Sequence, residues 1–279
     1  MGQIIGKCKL CLKDGVPLCK SHGICAAIYR SMRIPSNGGN PEPYVITRHS
    51  AKQTSKQETA PMLCVECENR LSRKGENWVF RNSLRADMSF RLKAILDART
   101  PDVHAPNQPT KLFYAAHIPQ VNVSALTYFA ASMFWRFSAH PWKTDGGYSV
   151  KLGPFEEQFR RYLMGQASFP ADAALWVVVR EIGPISHFTY IPTGERMGNI
   201  HVHRFPMPGF AFMLHVSKNL PEISRNLCFV HAPGNPFVQS PIIESHLLRE
   251  GMEMAQSLPN AKMQPAGFRF PRVSTVNSR

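Results

Sequence analysis

Two C-x-x-C pairs, Cys8-Lys9-Leu10-Cys11 and Cys64-Val65-Glu66-Cys67, constrain this chain more than any other feature. Two residues between cysteines let both thiolates point inward from one tight backbone turn, and two such knuckles complete a closed tetrahedral shell around one ion. Six of the seven cysteines fall within the first 67 residues, and in a reducing compartment such clustering favours a metal over disulfides. A closed four-thiolate shell is structural, and Zn2+ is the ion expected. The segment has few apolar residues for a core of its own. Metal binding is therefore expected to supply folding free energy on the order of 10 kcal/mol, and a chelator to melt this part first. Free buried cysteines and a redox-active pair are the competing readings. Cys19 and Cys25 flank His22 without knuckle spacing. They read as packing residues, with a second site shared with His22 and His49, or one substituting as a ligand, as the other readings.

Charge separates the chain into unlike parts. Residues 1–100 carry 17 Lys and Arg against 8 Asp and Glu, a net of +9, and residues 101–257 carry 12 against 11. The last 22 residues add 4 positive charges and no acid to the overall +14. The cysteine-bearing segment and the C-terminal tail therefore favour a polyanion, and nucleic acid is the expected partner. The longest apolar stretches, residues 123–137 and 171–179, fall well short of a bilayer span, so no membrane partner is expected. The first 13 residues carry charges and cysteines where a secretory signal needs an unbroken apolar run. A cytoplasmic protein is expected.

Local patterns predict an α+β fold. Residues 16–22 read as a short strand ending in a polar turn, and residues 25–33 as helix. Residues 35–61 read as a long loop with one strand-like piece at residues 44–47. The second cysteine pair enters a short helix, an apolar side recurs from Trp78 to Leu96, and residues 88–98 read as helix. Three prolines within residues 101–109 place a boundary there. The organisation expected is a zinc-binding segment over residues 1–100, an α+β domain over 110–257, and a basic, disordered tail over 258–279. In the second part residues 122–139 read as a largely buried helix. Gly153-Pro154, followed by Glu156 and Glu157, opens another whose charge order suits the helix dipole. Strands are expected over residues 175–179, 188–191, 200–203, 210–216 and 227–230, with turns at Pro192-Thr193-Gly194 and Pro206-Met207-Pro208-Gly209. A last helix is expected over residues 242–255. His201 and His203 alternate along one strand face, which reads as a solvent-facing sheet surface. This half shows no Gly-rich phosphate loop and no nucleophile elbow.

With these residues placed, the sequence resembles the HNH, or His-Me finger, endonuclease superfamily. The resemblance is closest to a set of uncharacterised bacterial HNH-like proteins with C-x-x-C, then Ser-His, then Leu-Cys-x-x-Cys-Glu. Here these are Cys8 and Cys11, Ser21-His22, and Leu63-Cys64-Val65-Glu66-Cys67-Glu68. A Trp-Arg helix and a Leu-Gly-Pro-initiated helix continue the pattern, as Trp135-Arg136 and Leu152-Gly153-Pro154, so the resemblance spans roughly residues 5–165. It implies a small zinc-bound ββα module followed by a mixed helix and antiparallel-sheet domain. It also implies His22 as the general base that deprotonates the attacking water, and a catalytic Mg2+ or Mn2+. The position after the second cysteine pair, often His or Asn in active enzymes, is Glu68 here, with Asn69 beside it. The central asparagine of the pattern has Asn37 and Asn40 as candidates. Where related proteins follow Ser-His with an aliphatic pair and proline, this chain has Gly23-Ile24-Cys25.

The function expected is metal-dependent hydrolysis of phosphodiesters, with DNA a better fit than RNA, in a setting such as bacterial defence. The helix-then-sheet half is expected to bind a partner protein, a ligand or a second copy of the chain. Two other readings fit the same residues: a zinc-containing nucleic-acid-binding module without catalysis, and a scaffold subunit of a nucleoprotein complex. On either of these His22 is a turn-capping, zinc-ligating or purely structural residue.

Overall fold

The computed structural model describes residues 3–33, 42, 44–46, 51–54, 56–142, 149–182 and 189–256. Its centre is helix α5 (Val123–Ala139), in which every residue from 125 to 139 is buried. A helix apolar on all sides belongs inside a protein, with neighbours all round. Asn122 starts it, its side-chain oxygen accepting the Ala125 N–H at 2.8 Å, which satisfies one of the helix's unpaired donors.

One neighbour of α5 is a six-stranded sheet. In spatial order it comprises β6 (Lys111–Tyr114), β12 (Pro236–Gln239), β7 (Ala173–Val179), β11 (Phe210–Val216), β10 (Ile200–Met207) and β9 (Thr193–Met197). The sheet is mixed where an antiparallel one was expected, because β12 runs parallel to β7 while every other pair is antiparallel. Phe129 of α5 meets Phe212 of β11 with ring centroids 5.6 Å apart. The opposite face of the sheet takes helix α8 (Pro241–Gln256), through Leu247 and Ile243 against Val178, Ala211 and Val238. Buried Arg180, just after β7, binds Glu244 of α8 at 2.8 Å.

The other neighbour of α5 carries the cysteines. Strand β2 (Val16–His22) pairs antiparallel with β5 (Thr59–Cys64), and β1 (Ile5–Gly6) lies on the far edge of β2. Between them in sequence come α1 (Ala26–Ser31) and the strands β3 (Tyr44–Ile46) and β4 (Ala51–Gln53). The pair β3–β4 joins a short parallel strand β8 (Thr189–Tyr190) from the other end of the chain. Strand β5 runs directly into α2 (Val65–Leu71), a π-helical turn (Ser72–Glu76) and α3 (Asn77–Asn82), a helical rod that crosses α5. Helices α4 (Arg91–Asp97), α6 (Glu156–Met164) and α7 (Glu222–Asn226) complete the fold.

The crossing of the rod over α5 depends on Gly75. A Cβ there would stand 2.9 Å from the Phe129 backbone nitrogen and 3.0 Å from its Cα, a clash with main chain that no rotamer relieves. Alanine is otherwise the better helix former by about 1 kcal/mol, so the clash decides the sign. Gly75→Ala is expected to lower stability by about 1–3 kcal/mol, read as an earlier denaturation midpoint. An unchanged midpoint would mean that the two helices can move apart without cost.

Residues 101–109 form a mostly exposed, irregular connection, tied down by a bridge between Val103 and Leu112 and by Asp102, which accepts from the Tyr114 N–H at 2.7 Å and pairs with His117 at 2.6 Å. The apolar core is continuous across it, running from Cys8 and Leu63 through Leu126 and Phe129 to Phe212 and Phe237. Two local expectations are corrected. Residues 227–230 are a tight turn after α7 rather than a strand: Cys228 and Phe229 are buried, but Phe229 makes a single strand-like bond, to the Leu175 carbonyl at 2.7 Å. Thr193-Gly194 is not a turn but part of β9, where Gly194 pairs with His203. A Cβ on Gly194 would sit 2.4 Å from His203 Nδ1, so this glycine gives room to a ring rather than freedom to the chain. The turn at Gly209 is as expected, with φ +85°. Residues 258–279 and Asn37, Asn40 and His49 lie outside the described residues.

Candidate metal centre and its surroundings

The first knuckle folds back on itself through backbone bonds. The Cys8 N–H reaches the Lys13 carbonyl and the Leu12 N–H the Cys8 carbonyl, both at 2.9 Å, with Leu12 in the left-handed region at φ 63°. The Lys9 N–H binds the Met62 carbonyl of β5 at 3.1 Å, which brings this knuckle to the point where β5 becomes α2. There the Cys64 N–H donates to Cys8 Sγ at 3.4 Å. The ligand sulfurs of Cys8, Cys11, Cys64 and Cys67 all lie within 4.8 Å of one another, and those of Cys11 and Cys64 are 3.8 Å apart.

A zinc ion bound to sulfur at about 2.3 Å in a tetrahedron requires sulfurs about 3.8 Å apart, so the four side chains fit such an ion. The chemistry of the set agrees with the geometry. The Cys67 thiol and the backbone N–H groups of Cys11, Cys64 and Leu10 hold Cys8 as a thiolate, well below the usual thiol range, while burial and its sulfur and carboxylate neighbours push Cys64 upward. Four sulfurs this close cannot all ionise unless a cation offsets their mutual repulsion. Among the described residues this is the one cluster of potential metal ligands. Two bonds tie the knuckle to the helices behind it: Lys9 Nζ to the Ala139 carbonyl at 2.6 Å, and Arg160 to the Leu10 carbonyl at 2.8 Å.

His22 ends β2, paired with Thr59 and half-buried. Burial lowers its pKa below the ordinary value, and the Glu68 carboxylate is the strongest charge acting against that shift. Glu68 follows the second cysteine pair on α2, and its Oε1 is enclosed by protein without a hydrogen-bond partner among the described residues. An enclosed carboxylate oxygen without a donor suits a hard cation, which takes oxygen ligands. Glu68 thus lies within electrostatic reach of His22. Asn69 is one residue further on, exposed, with its carbonyl accepting from Arg73 Nε at 3.3 Å.

Below His22 lies a buried cluster that the sequence did not disclose. Arg136, 1% exposed on α5, donates to the His22 carbonyl at 3.1 Å, to Cys25 Sγ at 3.4 Å and to Glu76 Oε1 at 3.1 Å. Burial opposes its charge, but the Cys25 sulfur that accepts its hydrogen bond and the carboxylates of Glu76 and Glu68 keep it a cation. Glu76 is delivered by the π-helical turn, a local widening of the helix that recurs at functional sites. Burial next to Glu76 raises the Cys25 thiol well above its usual range, so Cys25 is an inert packing residue. The available signal was Arg136 itself, a lone cation inside an otherwise apolar helical run.

His203 does not face solvent as expected: it is 2% exposed, against Phe134 of α5 and over Gly194, and neither ring nitrogen has a partner among the described residues. No described helix is long and apolar enough to cross a membrane. No family model, curated protein or solved structure matches the chain.

Proposed function

We propose that this chain is a zinc-stabilised endonuclease of HNH type that hydrolyses phosphodiesters in DNA. The observation that carries the reading is the electrostatic coupling of His22 to Glu68, the residue that follows the second cysteine pair of the four-sulfur cluster. The order β2, β5, α2, with a cysteine pair at the β5–α2 junction and a histidine at the end of β2, supports a ββα module of that kind. Zinc at Cys8, Cys11, Cys64 and Cys67 would fix the junction, and Arg136 would fix the His22 carbonyl from below.

In this reading His22, kept neutral by burial, takes a proton from water as its oxygen bonds to phosphorus and the 3′-oxygen leaves. Glu68, with Asn69 next to it, would hold Mg2+ or Mn2+ through oxygen. When bound, that ion supplies charge stabilisation at the phosphate and the leaving oxygen.

Nicking of a supercoiled plasmid with either metal tests the reading. His22→Ala is expected to lower the rate by about 10²- to 10⁴-fold, with zinc content and denaturation midpoint unchanged. Equal cutting by that variant would remove the base. Salt-sensitive binding with no cleavage under any divalent metal would leave a non-catalytic binding module instead.

A further inference from the structure

The rod formed by α2, the π-helical turn and α3 sorts its charges. Of its three acids, Glu76 binds Arg136, Glu66 lies 3.2 Å from Cys64 Sγ, and Glu68 is coupled electrostatically to His22. Its cations Arg73, Lys74 and Arg81 are exposed, and none forms an ion pair with a carboxylate among the described residues. Arg70 is a different case, since it donates to the Met164 carbonyl at the end of α6 at 3.4 Å. The heads of two of the exposed cations are already steadied, Arg73 on the Asn69 carbonyl and Lys74 at 5.7 Å over the Tyr128 ring. The backbone beneath them is stiff, held by the cysteine cluster at one end and by the Gly75 crossing and Glu76–Arg136 in the middle.

We propose that the exposed row Arg73, Lys74 and Arg81 is a docking surface for the sugar–phosphate backbone of a nucleic acid. At about 1.5 Å rise per residue the row spans about 12 Å, the length of roughly three to four phosphates along one strand. Pre-positioned cations on a rigid helix lose little freedom on binding, and the two arginines offer forked donors that match phosphate oxygens. The excess of 17 Lys and Arg over 8 Asp and Glu in residues 1–100 provides a field of the same sign around the row. The proposal rests on the nucleic-acid part of the reading above and not on its chemistry.

The test compares two full-length triple variants of equal net charge. One is Arg73→Gln, Lys74→Gln, Arg81→Gln; the other is Arg269→Gln, Arg272→Gln, Arg279→Gln, in the basic tail. Binding to a short duplex DNA and to a matched RNA is measured across a salt series. The row variant is expected to bind about 10- to 100-fold more weakly and to lose about 2 to 3 from the salt slope. The tail variant is expected to keep most of its affinity, and polyglutamate to compete poorly. Equal binding by the row variant, an equal loss in the tail variant, or equal competition by polyglutamate would overturn the proposal. If the unsubstituted protein bound neither nucleic acid, the nucleic-acid reading would fall with it. Loss of cleavage in His22→Ala with binding intact leaves the docking surface standing.

Discussion

Stripping metal from the purified chain with a strong chelator is expected to unfold it broadly, with the melting temperature falling by at least about 20 °C. A structural four-thiolate zinc site supplies on the order of 10 kcal/mol, comparable with the whole stability of an ordinary domain, and each kcal/mol moves the midpoint of a chain this long by about 2 °C. The damage cannot stay local, because Cys8, Cys64 and Cys67 are 0%, 2% and 3% exposed and belong to the same core as Leu126 and Phe129. Without an ion, thiolates as close as 3.8 Å repel one another, and the knuckle that anchors Lys9 and Arg160 loses its brace. Elemental analysis should find one zinc per chain. Cys11→Ser should lose both metal and stability, while Cys19→Ser, outside the cluster, should keep them. A metal-free protein with an undisturbed melting curve would refute the site and remove the scaffold under His22.

What could be read from the sequence was what is local. C-x-x-C spacing is a property of a few bonded residues, so the four cysteines could be grouped before any fold was known. The all-apolar run of α5 likewise announced a central helix, and Pro208-Gly209 a turn. Arg136 and Glu76 are 60 residues apart and become partners only because the π-helical turn and Gly75 bring the rod against α5. Gly194 was misread for a related reason. Glycine serves both turns and close approaches, and only the ring of His203 on the neighbouring strand tells which applies here. His203 itself was assigned to the surface because strand alternation says which residues share a face, not what covers that face. His22 and Glu68 were nameable as residue types. Their electrostatic coupling depends on how α2 packs against β2 after the β2–β5 pairing sets Leu18 opposite Cys64 and His22 opposite Thr59.

Acid is expected to destabilise this protein through two histidines remote from the cysteines. His203 and His215 are 2% and 8% exposed, and burial pushes each down to about 4 from an ordinary value of 6.5. The groups acting on His203 are His201, Arg204 and His215, and the one acting on His215 is Arg204, so nearby positive charge adds to the effect of burial. In the unfolded chain both rings take up protons near pH 6.5, whereas in the folded chain they do so only near pH 4. Between these values the unfolded state binds more protons. Stability from this source is therefore complete above about pH 6.5, falls as the pH drops, and levels off below about pH 4. Each imidazole contributes on the order of 3 kcal/mol over the full window. His215 keeps a partner, Ser224 Oγ at 2.8 Å, but both nitrogens of His203 are buried without one among the described residues, which is costly even when the ring is neutral. His203→Leu is thus expected to be at least as stable as the unsubstituted chain at pH 7 and more stable by about 2–3 kcal/mol at pH 4.5, measured by urea denaturation at fixed zinc. Protonation of the cysteine ligands would act over the same range but would persist in this variant. A pH profile that His203→Leu leaves unaltered would assign acid sensitivity to the metal centre instead.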